Sequence, residues 1–229
     1  MKVTAVIPAK MTSVRLPKKN MVHLGGRPLL YYSIAFAKRV ESVNRIVVSS
    51  EDPKVLAYAE ENGAMALTRS ESLSLPDKTN QDVLKEVYAQ LGAPIDTLFV
   101  LLQPTHPFRS VHHLSRAVSI MQTDVSYDSL FTVAKSDELR GTITGKVFEP
   151  EFELPRNRNK EKKWYRNMGS FYIFRPENSF LKPGFFGRKI YPYQIERSLF
   201  DVDIDYQRDL DLAEMILARS IDQLPYISN

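Results

Sequence analysis

The sequence has no cysteine, which excludes disulfide staples, thiolate metal sites and cysteine nucleophiles. It has 9 glycines and one tryptophan in 229 residues, and its first loop matches neither G-x-x-x-x-G-K-[ST] nor G-x-G-x-x-G, the two motifs with an established phosphate geometry. Long apolar runs are missing too. The longest, such as residues 98–102, fall far short of the roughly 20 residues that a membrane-spanning helix needs. Neither sign of charge dominates: 31 Lys plus Arg against 27 Asp plus Glu leave a net charge of +4, too mild to choose between nucleic acid and small phosphate-bearing ligands. Residues 1–9 carry one lysine before a short apolar run closed by Pro8, unlike a secretory signal, so the expected setting is cytoplasmic, with no membrane partner.

What remains is an ordinary folded composition, 43% hydrophobic and 25% charged with 14 prolines, on a length that suits one domain over residues 1–229. Residues 3–8 (VTAVIP), 45–49 (RIVVS), 65–67 and 97–102 (TLFVLL) read as strands, being short, apolar and mostly β-branched. Helical spacing follows Pro28 and recurs over residues 53–62, 80–91 and 111–121, with Gly63 and Gly92 as stops. Strands alternating with helices predict a three-layer α/β fold with a mostly parallel sheet, whose ligands bind beyond the strands' carboxyl ends. The alternation lapses over residues 135–167, which read as an insertion. Strands are expected again at 129–134, 169–174 and 189–193, and a closing amphipathic helix at 207–220.

Three loops at the expected carboxyl edge carry the polar chemistry. Residues 9–20 (AKMTSVRLPKKN) bring Lys10, Arg15, Lys18 and Lys19 together with Thr12 and Ser13; such a loop either cradles a polyphosphate or is a solvated basic surface. Residues 103–109 (QPTHPFR) stiffen Gln103, Thr105 and Arg109 between prolines, giving either a ligand-reading loop or a turn with a capping threonine. In residues 200–209 (FDVDIDYQRD), Asp201, Asp203 and Asp205 alternate. An extended backbone puts these carboxylates on one side, where they suit a hard cation such as Mg²⁺; alternatively Asp205 caps the last helix. The run at 155–166 holds six Lys or Arg against one Glu, beside Trp164 and Tyr165, and reads as a solvated hairpin or a nucleic-acid arm. The four histidines show no metal-ligand spacing.

Taken in order, AVIPAKMTSVRLPKKN, LLQPTHPFRS, RNMGSFYIF and DVDIDYQRDLDLAE resemble the motifs of the acylneuraminate cytidylyltransferases, the CMP-sialic acid synthetase-like enzymes, over residues 3–215. The resemblance implies a Rossmann-like nucleotidyltransferase fold and a homodimer formed through the insertion at 135–167. The implied activity is transfer of CMP from CTP to the anomeric hydroxyl of an acidic nine-carbon, sialic-type sugar, with pyrophosphate released and no nucleic-acid partner. It further implies that Ala9, Lys10, Ser13, Lys19, Asn20 and Arg69 contact the nucleotide, and that Gln103, Thr105, Arg109, Arg158 and Arg166 serve the sugar side. Asp203 and Asp205 would hold Mg²⁺, with Lys19 sharing the catalytic work.

Lys10 stands where the family usually carries arginine, which keeps a cation but not the planar fork. Met168 stands where an asparagine usually precedes the glycine. The S-x-R-L-P-x-K string is also similar to the 3-deoxy-manno-octulosonate cytidylyltransferases, whereas QPTHPFR favours the nine-carbon acids.

Overall fold

In the computed structural model, which describes residues 1–75, 77–138, 140–151, 163–196 and 201–220, the β-branched runs form the middle of a seven-stranded sheet. Strands β1 (Val3–Pro8), β4 (Arg45–Ser50), β5 (Met65–Thr68) and β6 (Leu98–Leu101) are parallel neighbours, with β1 between β4 and β6. Beyond β6 lie β10 (Trp164–Phe174), β7 (Ser129–Ser136) and β11 (Ile190–Gln194), giving the order β11-β7-β10-β6-β1-β4-β5. Only β10 runs against its neighbours, so the expected mostly parallel α/β sheet is what forms.

Alternate residues of the central strands enter different cores. Ala5, Ile7, Val48 and Val100 pack on one face with α1 (Leu29–Lys38), α2 (Pro53–Glu61), α4 (Val111–Thr123) and α5 (Gln207–Ser220). Val6, Val47, Phe99 and Leu101 pack on the other with α3 (Asn80–Leu91) and Phe180. The helix starts are locally encoded. The Asp52 carboxylate accepts from the Lys54 and Val55 N–H groups ahead of α2, and Thr79 and Asp82 form a reciprocal capping box on α3.

Most boundaries fall within two residues of the sequence reading, and the largest shift is at β10. β10 begins at Trp164 rather than at Gly169, and β7 runs on to Ser136, because Trp164–Asn167 pair with 133–136 across an antiparallel ladder. The ladder shifts register between Asn167 and Tyr172, and that irregularity hides the strand from a period-2 reading. Between β7 and β10 the described residues form a short hairpin, β8 (Gly141–Thr144) and β9 (Val147–Pro150), which displays Ile143, Val147 and Phe148 to solvent. Most of the basic run at 155–166, Arg158 included, lies outside the described residues. The remaining short strands, β2 (His23–Leu24) and β3 (Arg27–Pro28), form a small ribbon leading into α1.

Phe99 is fully buried, with its ring centroid 5.4 Å from that of Phe180 and 5.8 Å from that of Tyr88. Phe99→Ala is expected to cost about 3–5 kcal/mol of stability through lost burial and the cavity left behind, read as a lower urea midpoint at unchanged slope.

Candidate active site

At the carboxyl ends of β1, β4 and β6 the backbone must find new partners, and the way it does so shapes the site. Leaving β1, the Ala9 N–H donates to the Ser49 carbonyl at 2.9 Å, and the Ser50 hydroxyl donates to the Ala9 carbonyl at 2.8 Å. Ala9 is fully buried. Its place is therefore under the loop, pinning it to β4, rather than among the side chains that line the cleft.

Asn20 draws the two ends of the loop together by donating from Nδ2 to the Lys10 carbonyl at 2.7 Å. The Met11 N–H donates to Glu51 Oε1, and Thr12 Oγ1 to the Ser74 carbonyl, both at 2.8 Å. Lys18 has φ +54°, the only positive value at a non-glycine position among the described residues. This left-handed turn carries a steric cost at a residue with a Cβ, and it leads directly into the 3₁₀ turn Lys19–Met21.

Lys19 Nζ lies 2.5 Å from Asp205 Oδ1, and an Arg15 guanidinium nitrogen 2.7 Å from Asp205 Oδ2. Each oxygen of that carboxylate thus has its own cation. Arg15 also lies 5.5 Å from the centroid of the Tyr206 ring. Hydrogen bonding to Tyr206, followed by the charge of Asp205, raises the Arg15 pKa above its ordinary value.

The acidic segment is extended as its spacing predicts, although it joins no sheet. Val202 and Ile204 are buried while Asp203 is exposed, and the Ile204 N–H donates to the Thr105 carbonyl at 2.8 Å. Asp205 does not cap helix α5; Asp209, in the first turn of the helix, reaches back so that its Oδ2 accepts from the Asp205 and Tyr206 N–H groups at 3.0 and 2.8 Å. Asp205 is thereby left to the cations.

These segments enclose a cleft of about 580 Å³. It gathers Lys10, Ser13, Lys19, Asn20, Arg69, Gln103 and Thr105 from the residues singled out in the sequence. Arg69 is 3% exposed and anchored to Ser49 through Nε at 3.2 Å to Oγ and through a terminal nitrogen at 2.6 Å to the carbonyl. Burial lowers its pKa, with Glu51 and Glu86 opposing.

Two expected sugar-side arginines, Arg109 and Arg166, are not among the described residues that line the cleft. Arg109 is buried, and its guanidinium donates to the Ser170 carbonyl at 2.6 Å, to Ser33 Oγ at 3.1 Å and to the Gln103 carbonyl. It fixes the loop that carries Gln103 instead of facing the cleft. Arg166 lies on β10 with a guanidinium nitrogen 3.7 Å from Glu138 Oε1, and Arg158 lies outside the described residues.

Among the described residues no group of three or more His, Asp or Glu side chains is arranged to hold a metal ion, and no helix is long and apolar enough to cross a membrane. Two adjacent carboxylates nevertheless match how Mg²⁺ is commonly held, through one or two carboxylates completed by water and phosphate oxygens.

The family model described as cytidylyltransferase matches residues 4–228. The chain belongs to the cytidylyltransferase family. It is 30% identical over 222 residues to the N-acylneuraminate cytidylyltransferase of Escherichia coli O18:K1:H7, with 93% of this chain matched but only 51% of that protein's length. It is 29% identical to the CMP-N,N'-diacetyllegionaminic acid synthase of Legionella pneumophila, covering 95% of this chain and 97% of the relative. A solved structure of CMP:2-keto-3-deoxy-manno-octonic acid synthetase complexed with CTP shares the fold, with a TM-score of 0.77 at 18% identity over 96% of this chain and 100% of that one.

Within this family member, the cleft also takes in residues that the sequence reading did not assign to it. Arg15 was read only as part of a basic loop. Asn80, in the first turn of α3, reads in the sequence only as the start of a helix. Phe185 comes from residues 179–189, which have no periodicity. His106, which has no metal-ligand spacing, is not among the cleft-lining residues and is buried beside Asp203.

Burial lowers the His106 pKa from 6.5 to about 4, against the opposing charge of Asp203. Between those two values the unfolded chain binds a proton that the folded one refuses. Stability from this group is therefore complete above the unfolded pKa and is lost as pH falls toward the folded one. Urea midpoints are expected to fall between about pH 7 and about pH 4.5, and His106→Asn to remove that component of the slope.

Proposed function

We propose that this protein transfers CMP from CTP to the anomeric hydroxyl of a 2-keto-3-deoxy nonulosonic, sialic-type acid, releasing pyrophosphate for glycan biosynthesis. The observation that carries the reading is the meeting of Lys19 and Arg15, both lining the cleft on the basic loop after β1, with Asp205 from the acidic segment. A carboxylate paired with two cations of a phosphate loop occupies a place where phosphate oxygens and a divalent ion would exchange partners with them.

Asp203 and Asp205 are the residues that would hold Mg²⁺, which supplies Lewis-acid stabilisation of phosphate charge when bound. The chain's own part is positioning and charge neutralisation, the main work in phosphoryl-type transfer. Lys10 and Lys19 face the triphosphate and offset the charge that builds on the departing pyrophosphate. Arg69, held rigidly on Ser49, supplies directional donors on the cleft floor. Gln103 offers a carboxamide on the sugar side, and its backbone is fixed by Arg109.

Phe185 gives the cleft an apolar wall, which suits a sugar acid carrying an acyl group. The named relatives acting on N-acylneuraminate and diacetyllegionaminate support the same choice. The eight-carbon, octulosonate-type acid is the second reading, supported by the S-x-R-L-P-x-K string of residues 13–19. The exposed Ile143, Val147 and Phe148 on the β8–β9 hairpin, with Trp164 and Tyr165 half-exposed nearby in sequence, support assembly as a homodimer through the insertion.

Pyrophosphate release assayed with Mg²⁺, each of the four NTPs and a panel of eight- and nine-carbon 2-keto acid sugars is expected to require CTP and to favour the acylated nine-carbon acids. Preference for the eight-carbon acid would establish the second reading, and silence throughout from folded protein would reject catalysis. Asp203→Asn and Asp205→Asn should each lower turnover roughly 100-fold or more while far-UV circular dichroism is preserved, since a charge is lost at nearly constant volume. Near-full Mg²⁺-dependent turnover in both variants would remove the metal assignment.

A further inference from the structure

His106 has no role in this scheme, yet it lies where three segments of the carboxylate side meet. It is 8% exposed. Its Nδ1 stands 3.2 Å from Thr105 Oγ1 and 3.6 Å from Asp203 Oδ1, and its ring donates to the Met168 carbonyl. The backbone runs alongside in the same sense. The His106 N–H donates to the Gln103 carbonyl at 3.2 Å, and the Ile204 N–H to the Thr105 carbonyl at 2.8 Å.

The strand opposite has made room for the ring. Gly169 has φ +67° and lies within the register shift of β10, and a Cβ at that position would stand 2.5 Å from two atoms of the imidazole. A positive φ and so close an approach both call for glycine. The irregularity of β10 and the burial of His106 are therefore two sides of one packing arrangement.

A buried imidazole is stable only when its polar atoms find partners, and here those partners are the Thr105 hydroxyl and the Met168 carbonyl. The Asp203 carboxylate stands 3.6 Å from Nδ1, in packing contact with the neutral ring.

We propose that His106 is a positioning residue for Asp203: wedged between Thr105, the Met168–Gly169 backbone and the acidic segment, the imidazole packs behind that segment and limits where its carboxylate stands. The inference rests on reading Asp203 and Asp205 as metal ligands. Groups that orient a ligand from behind act on metal affinity and on turnover together, without touching the nucleotide.

The test is Mn²⁺ binding to CTP-saturated protein, followed by electron paramagnetic resonance, together with steady-state kinetics and circular dichroism. His106→Ala is expected to weaken Mn²⁺ binding and to lower kcat by about 10- to 100-fold, with KM for CTP within about twofold of wild type. His106→Asn returns a polar atom near the Nδ1 position and should recover part of both losses. Gly169→Ala drives a methyl group into the ring, at a φ that also disfavours a Cβ, and should weaken Mn²⁺ binding in the same direction.

Unchanged Mn²⁺ affinity in folded His106→Ala and His106→Asn overturns the inference, as does a loss that is equal in both and tracks only the folded fraction. Wild-type protein that binds CTP but no Mn²⁺ overturns the metal reading itself, and this inference with it.

Discussion

Strands β1, β4 and β6 end at one edge of the sheet, and the backbone groups released there have to be satisfied without a further strand. That constraint organises the site. The Ala9 backbone turns onto Ser49 and Ser50, Arg69 seats on Ser49, and Arg109 takes up the Gln103 carbonyl. Each of these contacts satisfies a polar group at a strand end and fixes a loop in the same stroke. The cleft is thus lined by side chains whose backbones are held by the framework, which is what positioning chemistry requires.

On this rigid edge the charges are arranged as exchangeable pairs. Asp205 meets Lys19 and Arg15, both of which line the cleft, so no charge of the three is left without an opposite one. Arg15 is more than half exposed, and its ion pair is worth little in stability. On the proposed reading, triphosphate and a hard cation would take over the two halves of such a pair at small cost. Lys19 is far less exposed, at 16%, and is preceded by the left-handed Lys18, so its direction is set by the backbone.

Much of the fold was legible because it is encoded locally. Alternation of β-branched runs with helical spacing, the Asp52 and Thr79 caps and the Gly63 and Gly92 stops all act within a few residues. β10 was half missed because a bulge at Gly169 answers to a side chain 63 positions earlier, and no periodicity within the strand reports that. The site was legible to a similar degree. Lys10, Ser13, Lys19, Asn20, Gln103 and Thr105 do gather at one cleft, because their loops leave the same sheet edge. The resemblance gives Arg109 to the sugar side as a support of the Gln103 loop, and its bond to the Gln103 carbonyl fits that place, but its acceptors on Ser33 and Ser170 come from elements far away along the chain and could not be read from spacing.

By itself the sequence determined the α/β class, the order of its elements and the residue types at the carboxyl edge, since each follows from local periodicity, caps and loop chemistry. The tertiary structure alone decided which charges pair. It gave Asp205 to Lys19 and Arg15 instead of to a helix cap, turned Arg109 inward and enclosed His106 behind Asp203. These outcomes depend on distances between segments up to 186 residues apart, and packing, not spacing along the chain, fixes those distances.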